Sequence, residues 1–253
     1  RLIPKLSLRV SPHDMKDNSE EKRKINVKNL FYGNRLGLGN SFESGESLTL
    51  GVDFIKEKVN TIISEGKELT EIVNYFDFKL GTVLRLSEQK FIPLNSTLNK
   101  KKSNIFGHAQ FNPNANTSIN YDFSLTERLD RFESNSLGIA LEFENFSTSF
   151  NYLEESGVLG NSNFIQNTTK FNFNEYNSIS IGTRRNREIN LTEYYDLVYE
   201  YKNDCLIADI KYRKDYYDSA DIKPKEELFF SITIIPFYTY SPDKMILNKD
   251  RID

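Results

Sequence analysis

Long runs of strict alternation constrain this chain more than any other feature. In NTSINYDFSL, Asn116 to Leu125, the residues Ile119, Tyr121, Phe123 and Leu125 fall on one side of an extended backbone. Ser118, Asn120, Asp122 and Ser124 fall on the other. A strand of this kind buries one face and wets the other. What covers the apolar face decides the class of protein: a second sheet packed across a core, or lipid.

The pattern recurs along the chain and predicts about twelve strands with almost no helix. The expected strands are Leu2 to Val10, Glu46 to Lys56, Ile72 to Leu86, Asn104 to Asn112, the opening stretch, Asn135 to Glu144, and Phe146 to Tyr152. Ile165 to Asn174, Ser178 to Glu188, Glu193 to Tyr201, Cys205 to Tyr216 and Glu227 to Pro236 complete the set. Residues 11–45 read as a long polar connection whose NLFYGNRLGLGN carries a local aromatic anchor. From the fourth strand onward, tight turns mostly alternate with longer links, as in membrane barrels. Two connections break that rule: Glu57 to Thr70 is long where a short turn is expected, and the link before Glu193 is short.

Strand length separates the two classes. Strands of soluble sheets average about 5 or 6 residues, whereas a tilted outer-membrane strand needs about 9 to 11. Most segments here fall in the second range. Their polar faces carry Asp53, Asp77, Lys79, Arg85, Asp122, Glu142, Lys170, Arg184 and Glu200, which water in a lumen would satisfy. Tyrosines near strand ends suit the interfacial belts of a membrane protein, although Trp is 0. The pattern favours an all-β antiparallel outer-membrane β-barrel of about twelve strands, or part of one. A soluble all-β protein stays open, since 27% of residues are charged.

Composition excludes several functions. With 33 basic and 36 acidic residues the net charge is -3, and the chain lacks the strongly basic face that nucleic acid requires. The short basic runs, Glu20 to Lys24 and Asn99 to Lys102, read as solvated loops. Cys205 is the single cysteine, so an internal disulfide is ruled out. His13 and His108 have no ligand-like spacing with it, no metal or cofactor is indicated, and no nucleophile motif appears. An outer-membrane hydrolase would have to place His13 or His108 beside a Ser or Asp. In GTRRNREIN, Arg184, Arg185 and Arg187 suit anionic headgroups or phosphorylated sugars, or a rim of ordinary salt links. The opening RLIPKLSLRV reads as a strand already under way in a longer protein.

Four segments add a resemblance. LIPKLSLRVSP from Leu2, NLFYGNRLGLGNSFESGESLTLGVDF from Asn29, GHAQFNPNANTSINYDFSL from Gly107, and YDLVYEYKNDCLIADIKYRK with LFFSITIIPF near the end are similar, in order and spacing, to the C-terminal barrel portion of the LPS-assembly outer-membrane protein family, LptD or organic solvent tolerance protein. The resemblance implies that residues 1–237 are the later part of a larger barrel and 238–253 a C-terminal tail. It implies insertion of lipopolysaccharide into the outer leaflet of the bacterial outer membrane, a plug lipoprotein LptE, a periplasmic bridge protein LptA reached through a missing N-terminal domain, and membrane lipids as surroundings. It further implies that Lys79, Arg85, Lys170 and Arg184 line a lumenal substrate path. Leu228, Phe230, Ile232, Ile234 and Pro236 would form a lateral gate strand, and Cys205 a possible disulfide to the missing domain. No cofactor and no enzymatic step are implied. The competing expectations are an outer-membrane porin or passive channel and a soluble secreted binding protein.

Overall fold

The computed structural model describes residues 1–39, 41–64, 67–216, 224–235 and 238–240. Alternating apolar and polar residues become strands throughout: β1 Leu2–Ser11, β2 Gly45–Ser64, β3 Lys67–Arg85, β4 Ile105–Asn114, β5 Thr117–Leu125, β6 Phe132–Glu142 and β7 Phe146–Glu155. They continue as β8 Ser162–Asn172, β9 Asn177–Asn186, β10 Leu191–Lys202, β11 Leu206–Asp215, β12 Lys225–Ile234 and β13 Tyr238–Tyr240. Each strand hydrogen-bonds its neighbours in sequence, so one sheet runs in order from β1 to β13.

The expected barrel is not closed. Closure requires the outermost strands to pair with each other, but among the described residues β1 pairs with β2 alone and β13 pairs with β12 alone. The all-β antiparallel character stands, and closure and the arc of a larger cylinder are corrected. Glu57 to Thr70 is also not a loop. Its residues continue the β2–β3 ladder from Glu57↔Asn74 to Ser64↔Lys67, past a bulge at Lys56/Glu57, so these strands reach 20 and 19 residues. β1 meets β2 only up to Phe54, and β4 meets β3 only from Phe76. The outer part of this hairpin is therefore a two-stranded ribbon. The sequence there, EKVNTIISEGKELT, does not alternate, and its polarity imitates a loop.

The chain divides into two compact units, Arg1–Gly138 with Leu153–Ser162, and Ile139–Tyr152 with Asn163–Asp253. In the first unit the apolar strand face is continuous: Leu6↔Leu50, Leu8↔Leu48, Phe54↔Phe78, Phe76↔Phe111 and Phe111↔Ile119 lie in one surface. That face is not covered. Leu6 is 71% and Leu8 72% exposed. The core lies against the opposite, polar face, where Met15, Ile25, Val27, Leu30, Leu36 and Leu38 of the β1–β2 segment close over Val83 and Phe106 with Ile92 and Leu98. Two glycines admit this close approach. A Cβ on Gly51 would stand 2.7 Å from Phe31 Cζ, and one on Gly81 2.6 Å from Leu30 Cδ2.

The second unit has no such covering. Its buried residues, Ser178 and Gly182, are small and polar or bare, and no hydrophobic cluster forms among its described residues. Ile181, Leu197, Tyr199, Ile210, Leu228 and Phe230 are exposed on one face, joined by Ile181↔Leu197, Tyr199↔Ile210 and Ile210↔Phe230. Within each unit the Phe and Leu side chains of this face do not interleave with a second sheet, which removes the sandwich expectation.

Candidate functional site

In the first unit the polar face holds a buried ion cluster. Glu43, just before β2, is 4% exposed. Its Oε2 accepts from Arg35 Nε at 2.7 Å, and its Oε1 accepts from Arg35 Nη2 and from Arg85 Nη1. Arg9 Nη1 lies 3.7 Å from the same carboxylate. Arg35 also donates to Thr49 Oγ1 at 2.9 Å and Ser47 Oγ at 3.1 Å, and Arg9 donates to the carbonyls of Tyr32 and Gly33. The β1–β2 segment is thereby fastened to β1, β2 and β3. Burial by itself would raise the Glu43 carboxyl, but the guanidiniums of Arg35, Arg9 and Arg85 outweigh it and hold the group below its ordinary value. A second tie reaches the β7–β8 loop region, where Lys24 Nζ bonds both Glu155 oxygens at 2.6 and 2.7 Å.

His108 on β4 is buried, and its Nδ1 is 2.8 Å from Asp122 Oδ1. The hydrolase expectation asked for a Ser or Asp beside His108 and receives the Asp. The imidazole is 1% exposed, however, and its hydrogen bond goes to a carboxylate and not to a hydroxyl nucleophile. Among the described residues no group of three or more His, Cys, Asp and Glu could hold a metal ion.

The polar face of the second unit is bare and carries a ladder of paired charges. Lys170 Nζ is 3.0 Å from Glu200 Oε1, Lys211 Nζ 3.2 Å from Asp196 Oδ2, and Arg213 Nε 2.8 Å from Asp215 Oδ1 and 3.7 Å from Asp196 Oδ1. Arg184 Nε stands 2.7 Å from Glu193 Oε2, an ion pair whose angle does not make a hydrogen bond. Two arginines stack on rings of the same face, Arg184 over Phe164 at 3.9 Å and Arg213 over Tyr194 at 4.5 Å. At the short-turn end the face opens into a cleft of about 700 Å³ lined by Lys170, Glu200, Lys202, Asn172, Ser178 and Tyr176, among others. Side chains of both signs with amides and a phenol solvate water and polar solutes. They offer no concentrated charge of either sign.

The four expected path residues therefore have different surroundings. Lys170 and Arg184 lie on the open ladder, Lys79 is half-buried and donates to Asp77 Oδ2 at 2.7 Å, and Arg85 is buried in the Glu43 cluster. Leu228, Phe230, Ile232 and Ile234 share the apolar face of β12, which pairs with β11 from Lys225 to Ile234. Pro236 lies outside the described residues. Cys205 is exposed in the β10–β11 turn as a free thiol. Sequence reasoning missed Glu43, Arg35 and Arg9 because ion partners far apart in the chain leave no spacing to read. Gly51 and Gly81, which interrupt two strands, were the available signal that something approaches that face.

No family model matches the chain, and no curated protein matches it. Solved structures with similar strand arrangements include mutants of Rh. blastica porin. One has a TM-score of 0.41 at 7% identity over 77% of this chain and 82% of that chain. Another has a TM-score of 0.40 at 7% identity, covering 90% and 89%. A triple mutant of the Rhodopseudomonas blastica porin has a TM-score of 0.39 at 7% identity, again covering 90% and 89%. Likenesses of this grade carry no argument about function. The resemblance to the LPS-assembly family is nevertheless corrected: no family model and no curated protein supports it. Lipopolysaccharide insertion, the LptE plug and the LptA bridge, which rested on that resemblance, go with it. The face geometry stands independently: the second unit is a sheet with one exposed apolar face and one bare face of paired charges.

Proposed function

We propose that the chain forms a wall of a passive, water-lined passage in the bacterial outer membrane, through which small polar solutes move without chemistry. The observation that carries this reading is the second unit, whose strands present aliphatic and aromatic side chains on one face and paired charges on the other, with no core between. In water such a layer leaves its apolar face exposed. In lipid that face is satisfied, and the ladder wets an aqueous path. Aromatic residues cluster toward both strand ends of the same face, with Phe171 near Phe173 at one end and Tyr195 near Tyr216 at the other, as interfacial belts require. Because the ladder charges are paired, the path discriminates weakly between cations and anions.

Reconstitution of the purified chain into planar bilayers tests the proposal. Stable steps of conductance with a cation-to-anion permeability ratio near unity are expected. Folded protein that stays in the aqueous phase of a detergent phase separation, or inserts without conducting, would overturn it.

A further inference from the structure

We infer that Arg185 and Arg187 form a binding site for the phosphate of an anionic lipid headgroup, at the rim of the second unit's apolar face. The inference rests on the membrane reading above and adds a ligand to it. Along β9 the residues Ile179, Ile181, Thr183 and Arg185 point to one face, opposite Tyr199, Leu197, Tyr195 and Thr192 of β10. On the other side of β9, Ile165 of β8 stands opposite Arg185. The face is thus apolar along β9 and becomes cationic where the strand ends, at the level where headgroup phosphates meet the hydrocarbon boundary.

The contacts of the two guanidiniums set them apart from Arg184. Arg184 points to the opposite face, where it stands against Glu193 and Phe164. Arg185 donates to Asn190 Oδ1, and Asn190 is held in the left-handed region, φ 54°, by the β9–β10 turn. Arg187 is anchored through its backbone N–H, 2.7 Å from the Asn163 carbonyl, and its guanidinium lies 5.5 Å from the centre of the Tyr152 ring. An amide and a ring orient both side chains, and neither contact is to a carboxylate. A guanidinium carries five donors in a planar fork, so most remain for a second acceptor, and phosphate oxygens match that fork. Ile189 and Tyr195, 44% and 47% exposed, supply apolar surface beside the pair for the acyl region of the same lipid. Glu188 shares the turn, and with two arginines the segment stays net positive.

The test uses the full chain floated with vesicles of phosphatidylcholine alone or with phosphatidylglycerol, followed by mass spectrometry of the lipid retained after mild extraction. Wild-type protein should float with both and retain phosphatidylglycerol preferentially. The Arg185→Gln/Arg187→Gln variant should still float and should lose that preference by about 25-fold, from roughly fivefold per arginine near an anionic surface. Arg184→Gln should leave it unchanged. Flotation with no phosphatidylglycerol preference, or a preference that survives the double variant, overturns the site while leaving the membrane reading intact. Failure to float overturns the membrane reading itself. Displacement of the lipid by excess inorganic phosphate alone would show a free-anion site and overturn the lipid assignment.

Discussion

Replacing Glu43 by Gln removes one charge from a cluster in which Arg35 and Arg85 stay buried. Their side chains are each 1% exposed, and Glu43 accepts two hydrogen bonds from the first and one from the second. Breaking a buried pair by deleting one partner costs about 3–5 kcal/mol, because the remaining charge is left in a poor solvent. Arg35 keeps Thr49 and Ser47, and Arg85 keeps the Ser44 carbonyl, so the lower end, about 3 kcal/mol, is expected. The loss should be local, because the cluster fastens the β1–β2 segment and not the ladders. Hydrogen exchange followed by peptide mass spectrometry should therefore show amide protection across residues 15–38 falling on the order of a hundredfold, at about 1.4 kcal/mol per decade, while the β9–β11 peptides are unchanged. Acid should act in the same way. The folded-state pKa of Glu43 lies below its unfolded value, so the cluster's contribution is complete above the ordinary value of 4.5 and is lost as pH falls through the lower folded value. Protection in wild type should hold from neutrality down to that range and fail beneath it. Unchanged protection in Glu43→Gln would refute the claim that the cluster holds the segment down.

The apolar face can be scanned with charge. Ile210→Arg, in mid-band on β11, should cost about 2–4 kcal/mol in refolding into vesicles, whereas Tyr195→Arg at the band's edge should cost about 1 or less; equal costs would contradict a lipid boundary. Gly51→Val places new atoms against Phe31 Cζ and against the Leu80 carbonyl oxygen, 3.0 Å from the added Cβ. It should cost about 1–3 kcal/mol, read as exchange in the β1–β2 segment, and a silent Gly51→Val would mean that the segment seats elsewhere. Lys170→Gln breaks a pair whose side chains are 40% and 35% exposed. Stability should change by less than about 1 kcal/mol, with only a modest shift in ion preference of the conductance.

The strands were legible because their signal is local. Residues i and i+2 share a face, so NTSINYDFSL reveals β5 without knowledge of its neighbours, and β9 to β12 are recovered within a few residues of their expected limits. The exception shows the same physics. The outer part of the β2–β3 ribbon lies beyond its neighbouring ladders, and its residues, which do not alternate, read as a connection. Short motifs were weaker guides. Resemblances drawn from alternating, aromatic-rich segments draw on the same period that many β proteins share, and the family they suggested did not hold.

The sequence by itself determined that this chain has two kinds of surface, one apolar and one charged, on long antiparallel strands. It was silent on what covers each surface, because covering depends on contacts between residues far apart in the chain, such as Leu30 on Gly81 and Arg35 on Glu43 and Thr49. Only the tertiary structure decided that the first unit's charged face lies under a folded segment while the second unit's is bare. It also decided that the outer edge of β1 is unpaired among the described residues, since edge pairing is made by backbone groups that every residue carries alike.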